Sequence, residues 1–235
     1  MALSYFFVES LAEKNITLEE DTSKHIISVV RMQKGDELLL TDGKGQKAKA
    51  EIVDDNRKRC VVQVKSIEKE GMPEPSICIA ISLTKTAARF EWFLEKATEI
   101  GVNEIIPLVS ERTAKEKFRY DRMKGILVSA MLQSQQTWLP VLHQPTGFDE
   151  VVKQASQTQK FIAHCLPEQK QQLSSLIRDS SSSIILIGPE GDFTPDEIKA
   201  ALHNNFIPVA LGDTRLRTET AGMVAATILR IATPK

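Results

Sequence analysis

The stretch IGPEGDFTPDEI, Ile187–Ile198, decides how this chain is read. The apolar run Ile184–Ile187 passes straight into Gly188, Pro189, Glu190 and Gly191, and a helix then opens. Thr194 suits the N-cap, Pro195 the first helical position, and Glu197 the returning half of a capping box. Gly188 and Gly191 can adopt backbone angles other residues avoid and let a ligand come close to the chain. A strand, a glycine loop and a helix start often make a phosphate cradle. Here there is no P-loop lysine and no dinucleotide fingerprint, and Glu190 and Asp192 would repel phosphate. Acids in that place suit ribose hydroxyls or a cationic ligand; a plain tight turn before a capped helix is the alternative.

Outward from this loop, strands alternate with helices. SICIAISL (Ser76–Leu83) is nearly all apolar, as a strand buried on both faces must be. Ala87–Gly101 places Phe90, Phe93, Leu94, Ala97 and Ile100 at helical spacing and stops at a glycine. EIIPLVS, KFIAHCL, SSIILIG and FIPVALG read as strands, TPDEIKAALHNN and ETAGMVAATILRIA as helices. Such alternation predicts a parallel sheet covered on both sides by helices, an α/β fold. Ligands of these sheets bind beyond the carboxyl ends of the strands.

Upstream the texture differs. SIEKEGMPEPS (Ser66–Ser76) is polar and carries a glycine and two prolines, which reads as a linker. Before it, DELLLTDGKGQKAKAEIV and RCVVQVKSI alternate like strands around an Asp42-Gly43 turn, and Glu20–Met32 reads as one amphipathic helix. Two domains are expected, residues 1–72 and 73–235.

A second strand-end loop stands out, ALGDTRLRTETAGMVAA (Ala210–Ala226), in which Arg215 and Arg217 flank Leu216. Thr218 suits the cap of the next helix. Solvation, or pairing with Asp213 or Glu219, is the ordinary fate of such arginines. The helix itself is rich in Ala and Gly, which permits close packing on another element or another subunit.

Composition bounds the rest. The 235 residues are 42% apolar, with 30 basic against 31 acidic side chains, so no bulk charge marks a nucleic-acid or membrane partner. Cys60, Cys78 and Cys165 lack paired spacing and read as reduced thiols. The histidines show no metal-ligand spacing. No signal sequence or membrane span is legible, so a cytoplasmic protein without metal is expected.

IGPEGDFTPDEI followed by LGDTRLRTETA resembles the paired signature of the RsmE family, the small-subunit ribosomal RNA uridine N3-methyltransferases of the SPOUT superfamily. HIISVVRMQKGDELLLTDGKG is similar to that family's N-terminal domain, and ISLTKTAARFEWFLEKATEIGV with IIPLVSERT to its first strand, helix and second strand. The resemblance implies a small PUA-like β-barrel followed by a SPOUT α/β domain with a deep trefoil knot. It implies S-adenosylmethionine as cofactor, 16S ribosomal RNA or the small ribosomal subunit as partner, and a homodimer. Carried onto this chain, Gly188, Glu190, Gly191, Leu211, Gly212, Leu216, Arg217 and Thr220 would hold the cofactor, with His164 as a third wall. Arg217, then Arg215, would stabilise the uracil anion, with Glu219 nearby. Arg31, Lys34, Lys85, Arg89, Arg112 and Lys115 are the expected RNA contacts. The chain departs from the family pattern at Leu3 and Ser4, where an arginine is common, and in LQSQQTWLP, which keeps Gln133, Ser134 and Pro140 but lacks an acid and an arginine. A non-catalytic ribosome-assembly protein of the same fold, or a related enzyme acting on another RNA site, are the competing readings.

Overall fold

The computed structural model describes residues 3–114, 117–167, 170–178 and 182–232. It divides into two compact units. One comprises the residues up to Met72 together with Met131–Leu139; the other runs Pro73–Ala130 and onward from Pro140.

The first unit contains β1 (Tyr5–Phe7), β2 (Asn15–Thr17), α1 (Glu20–Lys24), β3 (Glu37–Thr41), β4 (Gln46–Asp54) and β5 (Val61–Lys69). They form one five-stranded sheet in the order β1-β3-β4-β5-β2. Alternation puts Leu38, Leu40, Ala48, Ala50, Ile52 and Val62 in a shared core with Ile26. The Asp42-Gly43 turn joins β3 to β4, and Asp42 Oδ1 accepts the Lys44 and Gln46 amides at 2.8 and 3.1 Å. The single helix expected over Glu20–Met32 is instead α1 followed by a π-helical turn, His25–Val30, closed by Arg31 in the left-handed region at φ 64°. Ile26, Ile27, Val29 and Val30 are β-branched, which crowds a regular helix, and only Ile26 of that turn is buried. The apparent linker is also shorter than its composition suggests, because β5 continues to Lys69.

The second unit holds β6 (Ile77–Ser82), α2 (Ala87–Ile100), β7 (Glu104–Val109), α3 (Tyr120–Gln133), β8 (Val141–Leu142), β9 (Thr146–Gly147), α4 (Phe148–Gln154), β10 (Gln159–Ala163), β11 (Gln171–Gln172), α5 (Leu173–Leu176), β12 (Ser183–Ile187), α6 (Pro195–His203), β13 (Ile207–Ala210) and α7 (Thr218–Ile231). Its strands pair in parallel in the order β11-β13-β10-β12-β6-β7-β8, with β9 also on β7. The central strands β6 and β12 are buried along their whole length, as their unbroken apolar runs require. α2 ends as expected, on Gly101 at φ 89°. α3, α4 and α5 carry no start signal strong enough to have been read.

Strand register aligns the exits of the central strands. Ile187 pairs with Ile81 on one side and Ala163 on the other, and Ala163 pairs with Val209. The chain therefore leaves β6, β10, β12 and β13 along one edge of the sheet. α7 returns over the sheet, where Gly222 lies so close to Ile81 and Phe93 that an added Cβ would come within 2.7 Å of both. The small-residue face of this helix thus serves the chain's own core. Arg230 anchors its far end, donating to the Gly101 carbonyl and to Asn103 Oδ1 (3.1 Å), while Asn103 Oδ1 also accepts the Ile77 amide.

Candidate functional site

At that edge a cavity of about 630 Å³ opens. Three exits build it: Ala163, His164 and Cys165 after β10, Gly188, Pro189, Glu190 and Asp192 after β12, and Leu211–Arg217 after β13. Thr218 and Ala221 of α7, Lys170, and the strand-end residues Ile187, Val209 and Ala210 complete the lining. Its size falls in the roughly 300–1,000 Å³ of small-molecule sites. The two loops singled out in the sequence are thus opposite walls of one pocket.

The loop after β12 is firmly fastened. The capping box forms as expected: Thr194 Oγ1 accepts the Glu197 amide at 3.2 Å, and Glu197 Oε2 accepts the Thr194 amide at 2.8 Å. Its glycines act differently from expectation, since neither Gly188 nor Gly191 has a positive φ. Gly188 sits in a tight place: a Cβ there would stand 3.2 Å from the buried Phe193 ring, which would have to give by a few tenths of an ångström. The left-handed residue is Asp192, at φ 63°. Its carboxylate supports that conformation by accepting the Phe193 amide at 2.9 Å and the Cys165 amide at 2.8 Å, which ties the β10 exit to the β12 exit. Glu190 Oε1 accepts the Lys85 amide at 3.2 Å.

The loop after β13 is open. Gly212 sits at φ 126°, where a side chain would be strained. Arg215 and Arg217 are exposed at the cavity, and among the described residues neither has an ion-pair partner. Glu219 is buried at 7% exposure and meets Arg89 of α2 instead, Oε1 to Nε at 3.7 Å. Thr218 does not cap α7. Its hydroxyl donates to the Gly188 carbonyl at 3.0 Å and so joins the two loops directly.

Of the residues expected around a cofactor, His164, Gly188, Glu190, Leu211, Gly212, Leu216 and Arg217 line the cavity, and so does Arg215. Gly191, Glu219 and Thr220 lie outside that lining. Sequence reading missed Lys170, whose ammonium donates to the carbonyls of His164 and Leu166 at 2.7 and 2.6 Å and so shapes the wall after β10. It also missed Asp192 as the joint between two exits; an Asp just before a helix N-cap was the available signal. Arg31 and Lys34 are exposed in the first unit, and Lys85 is exposed after β6. Arg89 is committed to Glu219, and Arg112 Nη1 donates to the Gly191 carbonyl at 2.8 Å. Lys115 lies outside the described residues. No group of three His, Cys, Asp or Glu among the described residues is placed to hold a metal ion.

This fold has clear relatives. Residues 72–230 match the RNA methyltransferase domain family and residues 18–65 the RNA methyltransferase PUA domain, and the chain belongs to this family of RNA methyltransferases. The probable rRNA-methyltransferase of Porphyromonas gingivalis is 37% identical, with a TM-score of 0.93 over 98% of each chain. A ribosomal RNA small subunit methyltransferase E from Neisseria gonorrhoeae, solved bound to S-adenosylmethionine, is 25% identical with a TM-score of 0.88, covering 99% of this chain and 98% of that one. The protein of that same name in Synechocystis is 29% identical, across 92% of this chain and 73% of its own.

Proposed function

We propose that this protein transfers the methyl group of S-adenosylmethionine to N3 of one uridine in 16S ribosomal RNA. The observation that carries the reading is the meeting of the two signature loops in one cavity, joined by Thr218 and Gly188. The residues present fit the cofactor. Ile187, Val209, Leu216 and Ala221 offer apolar wall for an adenine and a methionine stem, and Glu190 suits hydroxyls or a sulfonium charge. The phosphate-binding lysine of nucleotide sites is missing from the glycine loop. The likeness to a relative solved with this molecule supports the same choice.

When bound, S-adenosylmethionine supplies a methyl group already activated for displacement. The protein's task is then alignment and charge stabilisation. Gly188, Gly212 and the Leu211 backbone hold the pocket's shape; Arg217, free of an acidic partner, faces the space where uracil oxygen gains negative charge as N3 loses its proton. Arg215 is the second cation there. Glu219 acts at a distance, by holding Arg89 beside the start of α7. The target base is unpaired or flipped, because its N3 is otherwise engaged in pairing. Arg31 and Lys34, within the PUA match, and Lys85 and Lys115 beyond it meet RNA phosphates.

The finer architecture belongs to this proposal. Strand order β13-β10-β12-β6, with α7 returning to β6 after the β13 loop, supports a chain end threaded as a trefoil knot. Val224, Ile228 and Ile231 form a partly exposed apolar stripe on α7, which supports a homodimer; light scattering of the purified chain checks it. The activity is tested by mass mapping of 16S RNA from a strain lacking the gene, before and after treatment with protein and S-adenosylmethionine. One new methyl on a single uridine is expected. Cofactor binding without any RNA methylation would favour the assembly-protein reading.

A further inference from the structure

The exit of β7 is built more rigidly than an RNA-facing basic loop requires. The Ser110 amide donates to Thr113 Oγ1 at 2.8 Å, and the Thr113 amide returns to the Ser110 carbonyl at 3.1 Å. The two hydroxyls are 2.8 Å apart, and the fully buried Ser82 hydroxyl reaches both, at 3.4 and 3.3 Å. Next in the chain, the Glu111 amide donates to Glu197 Oε1 at 2.8 Å, the same carboxylate whose other oxygen completes the α6 capping box. Arg112 leaves this braced turn and crosses to the neighbouring exit. Its Nη1 donates to the Gly191 carbonyl at 2.8 Å, and its Cδ and Cβ lie 3.4 and 3.6 Å from the position a Cβ on residue 191 would take.

We infer that Arg112 is a positioning residue for the glycine loop of the pocket. Two facts make this more than a surface contact. The carbonyl it holds belongs to Gly191, whose two chain neighbours, Glu190 and Asp192, both line the cavity. And the turn that projects Arg112 is held at three points, which lowers the entropy lost when its guanidinium settles on one carbonyl. Arg112 therefore acts on the cofactor through Glu190 and Pro189 of the same loop, and its cation is spent on Gly191 rather than on a phosphate. This rests on the cavity being the S-adenosylmethionine site.

The test uses the full chain and measures two affinities. Losing this charge-assisted bond at an exposed position raises the dissociation constant for S-adenosylmethionine in Arg112→Ala about fivefold. KM for the cofactor rises with it and kcat changes little. Affinity for 16S RNA, and its salt slope, stay as in the parent. If Arg112→Ala does not fold, Arg112→Met, which keeps the apolar stem without a donor, takes its place. An unchanged cofactor constant overturns the role of Arg112, as does a salt slope reduced by about one, the mark of a lost phosphate contact. Failure of the unmutated protein to bind S-adenosylmethionine overturns the reading of the cavity itself, and this inference with it.

Discussion

The two walls of the cavity are made in opposite ways. After β12, nearly every polar side chain is occupied: Glu190 on the Lys85 amide, Asp192 on two amides, Thr194 and Glu197 on each other, with Arg112 laid across from β7. After β13, residues Leu211–Arg217 have no side-chain hydrogen bond among the described residues, and Gly212 bends freely at φ 126°. One wall is a fixed template; the other carries unpaired cations on a bare backbone. That division suits a site that must hold one small molecule in a set pose while admitting a much larger second substrate. Local opening costs least where hydrogen bonds are fewest, so ordering on binding belongs to the second wall.

The sharpest break of this comparison is Arg217→Ala. The open wall loses one of its two cations and nothing structural, so kcat for methyl transfer falls at least about a hundredfold while the melting temperature holds. Turnover like the parent's would remove Arg217 from the chemistry. On the fixed wall the reverse is expected: Asp192→Ala strips the Phe193 and Cys165 amides of their acceptor and costs about 2 kcal/mol of stability in denaturant titration. A loss confined to activity would mean that the wall is not the template described. Thr218→Val, which cuts the hydroxyl link between the walls, costs about 1 kcal/mol and shows chiefly as weaker cofactor binding in calorimetry.

The mildest effect is chemical. Burial raises the Cys60 thiol to about 11 and lifts Cys78 well above the usual thiol range, so at neutral pH both stay protonated and slow to alkylate. Cys165 is exposed at the cavity. Iodoacetamide therefore labels Cys165 in the native protein, and S-adenosylmethionine slows that labelling a few-fold. Equal labelling of all three thiols by peptide mass analysis would contradict the packing of β6 and of the first unit.

Much of this molecule was legible before any coordinates. The run Ile184–Ile187, the capping box at Thr194 and Glu197, and the Phe90–Ile100 periodicity are local patterns, each decided by a few neighbouring residues, and each formed where expected. The short elements were not legible, because α5 and the two-residue strands β8, β9 and β11 have too few residues to show a period. The helix expected through Met32 failed for a related reason: what ends it is the left-handed turn at Arg31, which no glycine announced.

Sequence by itself determined the parallel sheet, the two strand-end loops and, through their joint signature, the family to look for. It could not tell what each side chain in those loops is for. That Thr218 bonds Gly188 rather than capping its own helix, that Glu219 turns to Arg89 rather than to Arg217, and that Asp192 rather than a glycine takes the left-handed angle were decided only by tertiary structure. The physical reason is distance along the chain. A cap or an apolar period is satisfied within four residues, whereas the distant partners of Thr218, Glu219 and Asp192 arrive from other elements, at the exits of β12 and β10 and on α2.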